Sequence, residues 1–262
     1  MPASEFGYYF LTPGDDYFPI TSGLLANLPI GLVALEGNDF VIGSIDAEII
    51  NGNQGEDSIQ GGGGADLVLG GKGRDQISGD YGNDQVNGNI GEDIVFGGSG
   101  DDIVRGGKDA DLVSGEDGND VVIGDFGIDV LAGGSGADLF ALRTDITLAD
   151  SNNLDIILDF DRFEGDYIGV TGGFTERDFN LVSLDIPISV ITGIPGVSNI
   201  PGITPQTIRQ TLIDLTGVDI DPNNDGIVTG TSIQFSNGVI LGYAVNSSPF
   251  DISGSIIPIG DV

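Results

Sequence analysis

Every ninth residue from position 39 to position 138 is acidic: Asp39, Glu48, Asp57, Asp66, Asp75, Asp84, Asp93, Asp102, Asp111, Asp120, Asp129 and Asp138. Carboxylates at fixed spacing serve either proton transfer or a hard cation. The chain has no histidine and no cysteine, which removes the commonest general base and the usual zinc or iron ligands. What remains is oxygen, the ligand of calcium and magnesium. Glycines share the period. With Ala34 counted as position 1 of the first repeat, position 1 later holds Gly43, Gly52, Gly61, Gly70, Gly79, Gly88, Gly97, Gly106, Gly115, Gly124 and Gly133. Position 4 holds Gly37, Gly55, Gly64, Gly73, Gly82, Gly91, Gly100, Gly118, Gly127 and Gly136, with Asp46 and Asp109 as the exceptions. Glycine at both positions allows positive φ and close backbone approach, so positions 1 to 6 are expected to form a tight turn with inward carbonyls. From Gly52 and Gly55 onward these glycines are candidate calcium ligands beside the position 6 carboxylates.

Such a turn needs elements to hold it. Position 8 reads Val41, Ile50, Ile59, Val68, Ile77, Val86, Val95, Val104, Val113, Val122, Leu131 and Phe140, apolar without exception. Positions 7 to 9 therefore predict a three-residue strand with position 8 in the core and the other two on a largely wet face. One such strand cannot close on itself, but two repeats make a flattened coil of 18 residues. Twelve repeats, residues 34–141, give six coils in a parallel β-roll about 28 Å long. Stacking sets each position 6 carboxylate about 5 Å from its counterpart two repeats on, a repulsive column of like charge. A divalent cation between turns relieves it. Calcium fits this better than magnesium, which demands a smaller and stricter octahedron. A site between each repeat and the next but one allows up to about ten ions in the roll.

GGGGADLVL (Gly61 to Leu69), GGKGRDQIS (Gly70 to Ser78) and GGSGDDIVR (Gly97 to Arg105) resemble the RTX, or hemolysin-type, calcium-binding nonapeptide repeat. The segment from Asp155 to Val170 is similar to the closing motif that follows such arrays. The resemblance implies a parallel β-roll that folds on calcium, and export by a signal-peptide-independent, type I-like channel with an uncleaved C-terminal signal. Glu48, Asp46 and Asp109 depart from the pattern and mark where the local site is least regular. A longer period lies above the first: GGKGRD at Gly70 returns as GGKDAD at Gly106, and GDYGND at Gly79 as GEDGND at Gly115. The duplicated unit is thus two coils, which predicts calcium sites alternating between two ligand sets.

The flanks are expected to complete an all-β molecule. Residues 1–33, rich in aromatics, cap the start of the roll. Residues 142–182 close it, with strands at Ile156–Phe160 and Tyr167–Val170 and a helical turn at Thr175–Phe179. Residues 183–262 form a β-rich region with one short helix from Thr204 to Gly217 and room for a secretion signal. The segment Ile186 to Ile208 carries no charge and reads either as packed loop or as a self-association surface. Asp221, Asn223 and Asp225 in DPNNDG occupy positions 1, 3 and 5 of an EF-hand-like loop, but position 12 is Ser232. A lone calcium loop and an Asx-rich turn both remain open there.

With 41 acidic residues against eight basic ones and a formal charge of -33, the chain should avoid nucleic acid and anionic lipid. No apolar run is long enough for a transmembrane helix. The N-terminal stretch lacks the basic and apolar regions of a cleavable signal. No catalytic constellation is legible. The expectation is a non-enzymatic, calcium-binding structural protein of the cell surface or matrix. The alternatives are a polyanionic calcium buffer or sensor and a polysaccharide-acting enzyme.

Overall fold

A computed structural model describes residues 3–5, 7–28, 31–144, 154–192, 210, 212, 213, 216 and 218–260. The repeats build two parallel sheets facing each other. In one, Gln76, Ile94, Leu112 and Val130 lie side by side on successive strands; in the other, Leu67, Gln85, Ile103 and Val121 do. Each step is 18 residues, so two nonapeptides make one coil, as the spacing predicts. The twelve position 8 side chains fill the space between the sheets, none more than 1% exposed. Burying a side chain of this size contributes about 1.5–3 kcal/mol, which makes the column the main apolar support of the roll.

Two features differ from expectation. Phe40–Ile42 and Ser58–Gln60 have the expected three residues, but most strands of the roll are longer: Leu67–Lys72 and Gln85–Ile90 run through position 1 to position 3 of the next repeat. The left-handed backbone falls on positions 2 and 4, not on 1 and 4. Position 2 has positive φ at Asn53, Asp80, Asn89, Glu116 and Asp125 as well as at Gly62 and Gly71, and Asp109 takes it at position 4. Position 1 glycines keep ordinary φ. A Cβ there would collide, which is why glycine is needed: at Gly70 it would stand 2.6 Å from Asp75 Oδ2 and 2.8 Å from the Gly88 carbonyl oxygen.

The flanks extend the same sheets. At the start, Tyr8–Phe10 pairs in parallel with Gly31–Val33, and Tyr17–Pro19 with Phe40–Ile42; Leu11, Ile20 and Leu25 cover the end of the core. At the far end, Asp155–Ile157 and Tyr167–Val170 add one strand to each sheet, and Glu176–Asp178 forms a 3-10 turn. Ile240–Val245 then pairs with Asp155–Ile157, Ile227–Phe235 and Phe179–Pro187 follow in antiparallel order, and Ile256–Pro258 extends the other sheet. The outer face is not wet throughout. Leu112, Val130 and Ala132, at positions 7 and 9, are buried in a second cluster with Ile220, Val228 and Tyr243, because the C-terminal strands bring their own apolar side chains against that sheet. The Tyr243 hydroxyl donates to the carbonyls of Leu184 and Val228.

Of the uncharged segment, Ile186 and Pro187 end a strand and Ile188–Thr192 is a short helix; residues 193–208 lie outside the described residues. So do the cap and first turn of the helix read from Thr204, whereas Gln210, Leu212, Ile213 and Thr216 are helical. Among the described residues no helix is long and apolar enough to cross a membrane.

Candidate metal centre

The position 6 carboxylates stand where the stacked turns meet, and each of their two oxygens has its own environment. Oδ1 is structural. The Asp57 N–H donates to Asp75 Oδ1 at 2.8 Å, Asp75 N–H to Asp93 at 2.8 Å, and Asp93 N–H to Asp111 at 2.8 Å. The other edge repeats this from Glu48 through Asp66, Asp84, Asp102 and Asp120 to Asp138. Every coil is thus tied to the next by a charge-assisted bond at each edge.

Oδ2 has no such bond. In Asp39, Asp57, Asp66, Asp75, Asp84, Asp93, Asp102, Asp111, Asp120 and Asp129 this atom is buried without a hydrogen-bond partner. Buried polar groups are ordinarily paired, and an unpaired carboxylate oxygen is costly. The position 1 glycines explain what these atoms face. A Cβ at Gly79 would lie 2.5 Å from both Asp84 Oδ2 and the Gly97 carbonyl oxygen, and one at Gly97 would lie 2.6 Å from Asp102 Oδ2 and 2.7 Å from the Gly115 oxygen. A carboxylate oxygen and a carbonyl of the following coil therefore converge on space that glycine leaves open. Among the described residues no cluster of three or more metal-ligating side chains forms; the donors are single carboxylates plus main-chain oxygens. That is a hard, all-oxygen set, and calcium is the ion it suits.

Burial raises the affinity of these groups for protons. It pushes Asp66, Asp75, Asp93 and Asp120 up to about 7, against the pull of the N–H each accepts. Asp39 and Asp102 are pushed up to about 6. Asp111 is pushed up further still, burial being reinforced by the Asp129 carboxylate beside it. Without a cation the column is thus a set of acids that resist ionising in place.

The irregular positions differ. Glu48 turns its carboxylate onto Ser44, which donates its N–H at 3.0 Å and its hydroxyl, so it presents no orphan oxygen. Asp46 Oδ2 accepts from the Ser22 hydroxyl and the Gly23 N–H. Asp138 keeps its Oδ1 in the ladder but is not among the orphans. At 221–226 the aspartate oxygens are engaged locally: Asp221 Oδ1 accepts from Asp225 N–H at 3.1 Å and Oδ2 from Gly226 N–H at 2.9 Å. Asp225 Oδ1 accepts from Ile227 N–H at 2.8 Å and Oδ2 from the Asn223 amide at 3.0 Å.

Three further carboxylates lie at the far end of the roll, two of them ending the ladders, and the nonapeptide count passes them by. Asp166 Oδ1 accepts from Asp138 N–H at 2.9 Å. Asp159 accepts from the N–H groups of Gly133 and Gly134, both at 2.9 Å. Asp155 lies buried against Asp129, and that burial raises it well above the ordinary carboxylate range. The sequence holds a signal for two of them: Asp155-Ile-Ile157 and Asp166-Tyr-Ile168 keep the position 6 to 8 spacing after the nine-residue period has lapsed. Position 5 carries an exposed ladder of its own, in which Asn83 accepts from Asp101 N–H and Asp101 from Asn119 N–H.

A family model described as the RTX calcium-binding nonapeptide repeat, four copies, matches residues 32–59, 42–77, 78–113, 96–131 and 114–142. No curated protein matches the chain.

Proposed function

Since residues 32–142 match the RTX calcium-binding nonapeptide repeat, we propose that the chain is an exported, non-enzymatic structural protein of the cell surface or matrix that folds when calcium fills its roll. The observation that carries this is the row of ten buried, unpartnered Oδ2 atoms. Asp39, Asp57, Asp66, Asp75, Asp84, Asp93, Asp102, Asp111, Asp120 and Asp129 would hold the ions, with main-chain oxygens of the position 1 and position 4 turns completing each site. Up to about ten ions would reduce the charge of -33 to about -13. Calcium supplies charge neutralisation, and the carboxylates bring the coils into register around it. Sites of about 10⁻⁴ to 10⁻³ M, the range of extracellular modules, stay empty in a cytosol and fill outside. Passage through a type I-like channel as an unfolded chain agrees with that dependence.

The test is circular dichroism of the full chain during calcium titration from an EGTA-treated start. The expected result is a cooperative gain of β-structure with a midpoint near 10⁻⁴ to 10⁻³ M. A roll already complete in EGTA would sink the reading, and a midpoint in the micromolar range would turn it into an intracellular buffer.

A further inference from the structure

The chain has eight basic residues, and three of them converge on one spot of the roll's outer face. Strands Gln85–Ile90, Ile103–Lys108 and Val121–Phe126 lie side by side there. They frame an open recess of about 270 Å³ whose lining includes Asn87, Asn89, Arg105, Lys108, Phe126 and Arg143. Asp125 organises it. Arg105 donates through Nε and Nη2 to the two Asp125 oxygens, both at 3.0 Å, and Arg143 Nη1 donates to Oδ1 at 2.9 Å. The Arg143 guanidinium also stands 4.6 Å from the centroid of the Phe126 ring. Two guanidiniums are thereby fixed around one carboxylate, and Lys108 adds a third positive charge.

The donors are not exhausted. Arg105 has five N–H groups and gives two to Asp125. The Lys108 ammonium makes no hydrogen bond or ion pair among the described residues, and Asn87, whose Oδ1 accepts the Asn89 N–H at 2.9 Å, lines the recess beside it. Phe126, 43% exposed, offers an apolar surface at the rim. A floor rich in donors selects an acceptor-rich ligand, and a guanidinium fork suits a carboxylate in particular. Amide groups suit hydroxyls, and an aromatic edge suits the apolar side of a ring. We propose that this recess binds a sugar unit carrying a carboxylate, as found in acidic saccharides.

The test titrates the full chain in millimolar calcium with methyl glucuronoside, methyl glucoside and inorganic sulfate, followed by calorimetry or by amide shifts in NMR. The glucuronoside is expected to bind in the millimolar range, at least about tenfold tighter than either of the others. Lys108→Gln and Phe126→Ala alter exposed side chains, so the roll persists, as unchanged circular dichroism would verify; each is expected to weaken the glucuronoside by about fivefold or more. Equal affinity for sulfate would reduce the recess to a bare oxyanion site, and equal affinity for the glucoside would remove the charge from recognition. Glucuronoside binding that survives both substitutions would place the ligand on calcium elsewhere. Each of these, like no binding to the unaltered protein, overturns the proposal.

Discussion

Asp75 in the roll and Asp221 in the C-terminal turn are both buried, at 1% and 2% exposed, and both sit in short glycine-bearing acidic loops. Their second oxygens differ. Asp221 lies five residues before the N–H that its Oδ2 accepts, so one loop closes on itself. Asp75 finds a partner for Oδ1 in Asp57, 18 residues back, and none for Oδ2. Local closure satisfies a carboxylate as the chain turns; stacking satisfies half of it and aims the rest at the next coil's carbonyls. The first arrangement is complete without an ion, whereas the second is electrostatically incomplete until one arrives.

The strongest way to break this contrast is to fill the space between coils. Gly70→Ala keeps an allowed φ but places a methyl 2.6 Å from Asp75 Oδ2 and 2.8 Å from the Gly88 oxygen, so it should abolish at least one calcium site and raise the midpoint for folding severalfold. Gly226→Ala meets nothing within 4 Å at φ +79, so it should cost only the backbone strain of about 1 kcal/mol. Equal losses of calcium by equilibrium dialysis in the two variants would refute the distinction.

Substituting the charge alone is gentler. Asp75→Asn retains an acceptor for the Asp57 N–H and replaces the orphan oxygen with a donor facing a carbonyl. It should lower the bound calcium yet make the metal-free roll easier to form, by about 1 kcal/mol. Asp75→Ala removes both functions and should weaken folding in EGTA and in calcium alike. Urea titrations of the two variants, each with and without calcium, would expose a failure of that ordering.

Protons offer a third handle. Asp66, Asp75, Asp93 and Asp120 rise to about 7 in the metal-free fold, from about 3.9 when unfolded. The folded state binds more protons, so the stability these groups lend is fully present below about pH 4 and lost as pH rises through 7. In EGTA the roll should therefore gain structure at pH 5 relative to pH 8. In calcium the dependence reverses, because protons compete for the same oxygens, and the midpoint concentration should be higher at pH 5. A metal-free chain whose circular dichroism does not change between these two pH values would contradict the orphan-oxygen account.

The roll was legible because its period is rigid: a residue at position 8 can only face inward when every coil repeats the last, and Asp at position 6 can only meet its counterpart. Sequence spacing did not show which oxygen is free, since that depends on the direction of the N–H ladder. Nor did it show why position 1 is glycine, because φ is one reason for glycine and a neighbour 18 residues away is another. The ends were harder still. Asp155 and Asp166 continue the two columns, but insertions before each erase the count of nine. The outer cluster around Tyr243 joins Leu112 to residues more than 100 positions away, a juxtaposition with no periodic signature.

The most local expected effect lies in the turn itself. Asp221→Asn would leave Oδ1 to accept the Asp225 N–H but would put an amide where Oδ2 accepts the Gly226 N–H, opposing one donor to another. The loss of one hydrogen bond to a charged acceptor, with a donor left facing it, corresponds to about 1.5–3 kcal/mol locally. Because the turn joins the strand Ile227–Phe235, the change should loosen the C-terminal sheet, seen as faster amide exchange from Ile227 to Phe235, while calcium stoichiometry and midpoint stay as they were. A drop of one ion in this variant would mean that the turn opens to take calcium in solution, and the division between self-closed and ion-closed carboxylates would then run through this loop and not around it.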